Sequence, residues 1–165
     1  MKDDVGKVVP PANVDMLNGK LRFFVRFLMI VLGSTRGFFQ LTYFVTSSCN
    51  AKCMHCFNWE SLNSTKNELT LCEISEITKR IPFLMSLIIS GGEPFLRKDL
   101  DLVIERFYKD TDVVNVSIPT NGILSEQIYK TTLSILNKCG RINIVENKNT
   151  IKDMLGAEVL RTLLK

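Results

Sequence analysis

Residues 38 to 56, FFQLTYFVTSSCNAKCMHC, decide how the chain folds. The first part is rich in Phe, Tyr, Thr and Val, which is typical of a strand, and a cysteine-rich loop follows it directly. In that loop Cys49, Cys53 and Cys56 are separated by three residues and then by two. A tight loop with this spacing can turn three thiolates towards one small object, and thiolates favour iron–sulfur clusters, zinc or copper(I). The loop has no fourth cysteine, so a four-iron cluster held here would keep one open iron.

Length and composition predict a globular protein with one domain. The chain has 165 residues, of which 45% are hydrophobic and 23% charged, and its net charge is +4. That charge is mild, and the sequence has no basic run with interleaved aromatic residues, so no nucleic-acid partner is expected. Three of the five cysteines are crowded into one motif. Such crowding favours an intracellular metal site over a secreted disulfide framework, and the cytoplasm is the expected compartment.

Residues 1–37 are predicted to form an N-terminal arm and an apolar helix. The helix is expected between Leu17 and Gly33, with Arg22 and Arg26 four residues apart. The apolar stretch is too short and too charged to span a membrane. The helix is expected to lie against the domain, and a peripheral membrane contact through residues 17–32 is the alternative.

Residues 38–165 alternate between strand and helix patterns and form the predicted core domain. Strands are predicted at 38–46, 85–90, 113–118 and 142–145. Helices are expected after each strand, the last of them at 153–165. This order predicts an α/β fold with a parallel sheet and right-handed crossovers. In such sheets the ligand site lies at the carboxyl ends of the strands.

Smaller features make this prediction more specific. Thr70 and Glu73 match a capping box, which starts the first crossover helix. The buried side of that helix is expected to carry Leu71, Ile74, Ile77 and Ile81. Ser125 is expected to cap the third crossover helix, and Leu96 to begin the apolar face of the second. Cys72 and Cys139 are expected to be ordinary buried thiols.

Each of the first three strands is followed by a distinctive motif. The cysteine loop follows the first, Gly91-Gly92-Glu93-Pro94 the second, and Pro119-Thr120-Asn121-Gly122 the third. The glycines allow backbone to approach a ligand closely, the Glu93 carboxylate suits an ammonium group, and Pro94 helps to end its strand. Because parallel strands end at the same edge, the three motifs are expected to meet at one mouth.

Taken together, the motifs resemble those of the radical S-adenosylmethionine (radical SAM) superfamily. The resemblance rests on Cys49-x-x-x-Cys53-x-x-Cys56, on ISGGEPFLRKDL at residues 89–100, and on Thr120-Asn121-Gly122. It runs from about Phe39 to the end of the chain. It implies a partial parallel (β/α) barrel of which this chain supplies about four of six βα units, with an extra N-terminal helix.

The resemblance also implies cofactors and roles. The three cysteines would hold three irons of a 4Fe-4S cluster, and the open iron would chelate S-adenosylmethionine. Reductive cleavage of that cofactor would give a 5′-deoxyadenosyl radical that abstracts hydrogen from a substrate. No side chain beyond the cluster ligands is predicted to be catalytic. The residues expected to bind the cofactor are Gly91, Gly92, Glu93, Pro94, Ser117, Thr120 and Asn121.

The resemblance leaves the substrate open and favours peptide modification or cofactor maturation. The expected electron donor is a flavodoxin or a ferredoxin. Since two βα units of the barrel are missing, the chain is expected to be a truncated or split product. Completion by a partner chain and a minimal version whose other face is covered by the N-terminal helix are the alternatives. Two alternatives remain: a non-catalytic remnant that still binds a cluster, and a structural zinc module with His55 or Cys72 as the fourth ligand.

Overall fold

The structure, a computed structural model, describes residues 19–33, 37–64, 68–139 and 143–145. Its helices and strands follow in the order α1 (Gly19–Val31), β1 (Phe38–Thr46), α2 (Leu71–Thr78), β2 (Leu84–Gly91), α3 (Leu100–Thr111), β3 (Asn115–Ser117), α4 (Ser125–Lys138) and β4 (Asn143–Val145). Short 3₁₀ turns lie at Trp59–Ser61 and Pro94–Leu96. The predicted arm before residue 19 and the predicted helix at 153–165 fall outside the described residues.

The four strands form one parallel sheet in the order β1-β2-β3-β4. Each strand pairs with the next one along the chain, and a helix lies in each of the three connections. The predicted α/β architecture, a partial parallel (β/α) barrel, is therefore confirmed. This order places the carboxyl ends of β1, β2 and β3 side by side at one edge of the sheet.

One side of the sheet builds the core with the crossover helices. Leu87, Ile89 and Val116 from the strands share an apolar cluster with residues of α2, α3 and α4, among them Ile74, Val103, Ile104, Phe107, Ile128 and Ile135. Full burial of one such side chain contributes about 1.5–3 kcal/mol. This packing fixes the strands, and therefore fixes where the loops at their carboxyl ends begin.

The side chains on the other side of the sheet are mostly polar and only partly buried. Strand residues alternate between the two sides, and the register pairs Ser86 with Asn115 and Ile88 with Ser117. These four side chains and Ser90 are half-buried. The sheet therefore offers hydroxyl and amide groups on the side that the crossover helices leave open.

Helix α2 begins as predicted and ends earlier. Thr70 accepts a hydrogen bond from the Glu73 backbone, and Glu73 accepts one from Thr70, so the capping box is confirmed. The prediction of a buried Ile77 is wrong, because this side chain is 44% exposed. The helix stops at Thr78, which is itself buried and donates a 2.5 Å hydrogen bond to Asp110 of α3. Together with a contact to the Ser75 carbonyl at 3.2 Å, that hydrogen bond satisfies the buried hydroxyl.

Three other local predictions are wrong. Ser125 does not cap α4: it is the first helical residue, and Leu124 occupies the cap position without a side-chain bond. Leu96 does not belong to α3, because the Pro94–Leu96 turn intervenes before the helix begins at Leu100. Cys72 is exposed, whereas Cys139 is buried as predicted.

Helix α1 lies against the domain through a small number of contacts. Ile30 packs on Phe83, Met85 and Val114, and the rings of Phe27 and Phe39 lie 5.7 Å apart. Several large apolar side chains of the same segment remain exposed: Leu21, Phe24, Leu28, Val31 and Leu32. None of the helices in the described part of the chain is long and apolar enough to cross a bilayer.

Candidate functional site

A hollow of about 320 Å³ lies at the carboxyl ends of β1, β2 and β3. The motifs predicted to meet at one mouth all line it. The lining residues include Cys49, Cys53 and Cys56 from the first loop, Gly91, Gly92, Glu93 and Pro94 from the second, and Thr120 and Asn121 from the third. Ser117, which was predicted to line the same cavity, lies within β3 and is not part of the wall.

The two glycines are required because the second loop passes very close to the chain that leads into the cysteine loop. The Gly92 amide donates to the Thr46 carbonyl at 2.9 Å, and the Glu93 amide donates to the Ser48 carbonyl at 2.8 Å. A Cβ added to Gly91 would lie 2.2 Å from the Thr46 oxygen, and one added to Gly92 would lie 2.1 Å from the Ser48 oxygen. The sequence predicts that the glycines admit a ligand, whereas the contact that requires them is with the protein's own backbone.

Glu93 links the second loop to the third. Its side chain is buried, with 1% exposure. One carboxylate oxygen accepts hydrogen bonds from the Thr120 hydroxyl at 2.9 Å and from the Phe95 amide at 3.3 Å. The other accepts from the Asn121 amide at 2.8 Å. The carboxylate thus already has three donors within the protein, so it holds the wall of the hollow together.

Asn121 completes the connection by reaching the cysteine loop. Its side-chain amide donates to the Asn50 side chain at 2.8 Å, next to Cys49. The side-chain oxygen of Asn121 accepts a hydrogen bond from the Ile123 amide at 3.0 Å, and this bond shapes the turn before α4. The three loops are therefore one hydrogen-bonded unit, in which Glu93 and Asn121 are the junctions.

The comparison with protein families agrees with this geometry. A family model described as the Radical SAM superfamily matches residues 43–146, which is more than half of the chain. The chain belongs to the radical SAM superfamily. The matched residues begin in β1 and end just after β4, so they include the whole hollow. A 4Fe-4S cluster and S-adenosylmethionine, the cofactors predicted from the sequence, are those that this superfamily uses.

Three curated relatives of this radical SAM chain are named as GTP 3′,8-cyclases or probable GTP 3′,8-cyclases. The chain is 41% identical over 86 residues to a probable GTP 3′,8-cyclase of Methanococcus maripaludis strain C5, covering 50% of this chain and 28% of that protein. It is 31% identical over 122 residues to a probable GTP 3′,8-cyclase of Methanococcus vannielii, covering 70% and 39%. It is 29% identical over 150 residues to a GTP 3′,8-cyclase of Aliarcobacter butzleri, covering 83% and 44%. The matches therefore span less than half the length of each relative.

The donor set of the hollow suits a cluster better than a single zinc ion. Among the described residues, no three His, Cys, Asp or Glu side chains converge as ligands of one ion would. A 4Fe-4S cluster requires less convergence, since each thiolate binds its own iron. The suggested fourth zinc ligands are also unsuitable: His55 is exposed, and Cys72 lies in a separate hollow beside α2. Neither residue lines the hollow with the three cysteines.

Two residues near the site were not recognised from the sequence. Arg97 is buried and donates to the Val45 carbonyl at 2.9 Å, to the Leu69 carbonyl at 2.7 Å and to Asp99. It thus fixes the end of β1, where the cysteine loop begins. Asn63 lies in the segment that follows the three cysteines and bonds the backbone of Cys49. In the sequence, Arg97 is marked only by its place in the motif ISGGEPFLRKDL at residues 89–100, and no sequence feature marks Asn63.

Proposed function

We propose that Cys49, Cys53 and Cys56 hold three irons of a 4Fe-4S cluster, and that the loops after β2 and β3 form the wall that receives S-adenosylmethionine. The observation that carries this proposal is that residues from three strand ends line one hollow. When bound, such a cluster donates an electron to S-adenosylmethionine, and the cleavage supplies a 5′-deoxyadenosyl radical for hydrogen abstraction.

The protein's own residues contribute position rather than acid–base chemistry. The close backbone contact between Gly91–Gly92 and Thr46–Ser48 fixes where the cysteine loop begins relative to the wall. Glu93 keeps the third loop in place, so the cofactor would meet a wall that is already formed. The predicted contact to the methionine ammonium group would then come from carbonyl oxygens of the Gly91–Glu93 backbone, since the Glu93 carboxylate is engaged elsewhere.

The reductive cleavage of S-adenosylmethionine tests the proposal against the remnant alternative. The full chain is reconstituted anaerobically with iron and sulfide and reduced with dithionite, and 5′-deoxyadenosine is then measured chromatographically. The proposal predicts 5′-deoxyadenosine from the wild type and from Cys72→Ser, whose thiol lies outside the hollow, and none from Cys53→Ser. A wild-type chain that retains its cluster and yields no 5′-deoxyadenosine would be the non-catalytic remnant.

For the substrate, we propose a small molecule of cofactor maturation, and GTP is the first compound to test. The name shared by the relatives supports this choice. The open side of β2 and β3 presents Ser86, Ser90, Asn115 and Ser117, which are neutral. A triphosphate needs cationic partners, so GTP would face these strands with its base or ribose. A rise in 5′-deoxyadenosine on addition of GTP, with no rise on addition of ATP, would support this assignment.

The remaining partner and location predictions stay proposals. A flavodoxin or ferredoxin is the proposed electron donor, and residues 1–37 and 38–165 are the proposed domain boundaries.

A cytoplasmic location is proposed, together with a peripheral membrane contact through residues 17–32. The exposed apolar side chains of α1, such as Phe24 and Val31, support this contact. Sedimentation with phosphatidylglycerol vesicles tests that contact: Phe24→Ser should lower the bound fraction, and equal sedimentation with and without vesicles would exclude it.

A further inference from the structure

Cys49 differs from the other two cysteines of the loop because both of its backbone polar groups are bonded by one side chain. The Cys49 amide donates to the Asn63 side-chain oxygen at 2.9 Å. The Asn63 side-chain nitrogen donates to the Cys49 carbonyl at 3.3 Å. The side-chain amide of Asn63 thus pairs with Cys49 as a backbone peptide group would in a sheet.

The geometry of Asn63 itself favours this pairing. Its φ is +52°, in the left-handed region, which asparagine tolerates better than most residues. Its own amide donates to the Ser47 carbonyl at 2.8 Å, and the Ser47 hydroxyl donates to the Ser64 carbonyl at 3.0 Å. The segment that returns from the cysteine loop therefore runs beside Ser47 and Cys49, and the Asn63 side chain extends this pairing as far as the first cluster ligand.

The later part of the loop is held differently. The Cys56 amide donates to the Cys53 carbonyl at 3.2 Å, so these two ligands are joined by a local turn. Cys53 is exposed, whereas Cys49 is partly buried. Cys49 is thus hydrogen-bonded to Asn63, which lies fourteen positions away, whereas Cys53 and Cys56 are hydrogen-bonded to each other.

We propose that Asn63 is a positioning residue that holds Cys49 in its ligating conformation before the cluster enters. This inference rests on the proposed function, because it assumes that Cys49 binds iron. The two hydrogen bonds are exposed to solvent, so their loss changes global stability little and acts mainly on the local conformation of Cys49.

The test compares Asn63→Gly with the wild type in the full chain. Glycine accepts the positive φ and removes the side-chain amide, and the control below carries the same gain in backbone freedom. Asn58→Gly is the matched control, since Asn58 lies in the same loop and makes no capping bond with its side chain. In the iron-free protein, hydrogen exchange of the Cys49 amide, followed by NMR, should be about 5–10-fold faster in Asn63→Gly, because the net worth of such bonds is about 1 kcal/mol. Asn58→Gly should exchange like the wild type.

The second measurement is iron loss from the reconstituted protein to a chelator. Asn63→Gly should lose iron several-fold faster, and Asn63→Asp, which keeps an acceptor for the Cys49 amide, should lie between Asn63→Gly and the wild type. Unchanged exchange of the Cys49 amide in Asn63→Gly would overturn the inference, as would faster exchange with unchanged iron loss. A wild type that takes up no iron would instead refute the proposed function, while the exchange result would still report on the hydrogen bonds of Cys49.

Discussion

The substitution Glu93→Gln tests whether a buried carboxylate holds the wall of the hollow together. Glu93 receives three hydrogen bonds, two of them from the rigid backbone amides of Phe95 and Asn121. These two amides donate to different carboxylate oxygens. Glutamine has one oxygen and one NH₂ group, so in either orientation its NH₂ faces a backbone N–H. Either the buried Phe95 amide or the part-buried Asn121 amide therefore loses its acceptor, whichever way the side chain turns.

The expected loss of stability follows from the one backbone donor that is left without an acceptor. A buried donor left without its partner costs about 1–3 kcal/mol, and a hydrogen bond to a charged group contributes about 1.5–3 kcal/mol. Glu93 is 1% exposed, so water has little access to the position of the lost acceptor. Glu93→Gln should therefore lower the free energy of unfolding by about 1–3 kcal/mol. The displaced Asn121 should also weaken the binding of S-adenosylmethionine to the reconstituted protein.

Urea denaturation of the full chain measures this effect, and Glu73→Gln is the matched control. Glu73 lies at the exposed start of α2, where its side chain completes a capping box. Glutamine also occupies this position in capping boxes, so this variant should unfold at nearly the same urea concentration as the wild type. If Glu93→Gln were as stable as Glu73→Gln, Glu93 would not hold the second and third loops together.

Three further predictions concern other parts of the fold. Gly92→Ala should destabilise the protein and impair iron uptake, because its Cβ would lie 2.1 Å from the Ser48 oxygen; iron content after reconstitution equal to that of the wild type would contradict this. Burial alone would raise the pKa of Asp101, but hydrogen bonds such as that from Lys138 hold it below the ordinary value. Asp101→Asn should therefore be less stable than the wild type at neutral pH, and the difference should shrink as the pH falls below about 4 and the carboxylate becomes protonated, which urea titrations across pH can check. Burial raises the pKa of the Cys139 thiol to about 11, so mass spectrometry should find Cys72 alkylated by iodoacetamide and Cys139 unmodified in the native chain at pH 8.

The sequence predicted the architecture because its strong signals are local. Strand β1 was predicted with the observed bounds, Phe38–Thr46, from its β-branched and aromatic residues followed by the cysteine loop. The capping box at Thr70 was recognisable because the whole motif fits within four residues. The position of the site followed from topology alone, since parallel strands bring their carboxyl ends to the same edge.

The failed predictions depend on contacts between distant segments. Ile77 fitted a helical stripe, but α2 ends at Thr78, whose hydroxyl bonds Asp110 on a different helix. The true reason for Gly92 is the backbone of Ser48, and the partner of Asn63 is fourteen residues away. Periodicity and spacing report what a segment can form by itself, and they carry no information about which segment will lie against it.

The central claim is that the three cysteines hold a four-iron cluster with one open iron that meets S-adenosylmethionine in the hollow. Anaerobic reconstitution followed by iron analysis and EPR of the reduced protein, with and without S-adenosylmethionine, tests this claim most directly. The expected result is about four irons per chain, as a 4Fe-4S cluster requires, and an EPR signal that changes when the cofactor is added. A chain that takes up no iron, or a cluster whose signal is the same with and without the cofactor, would contradict the claim.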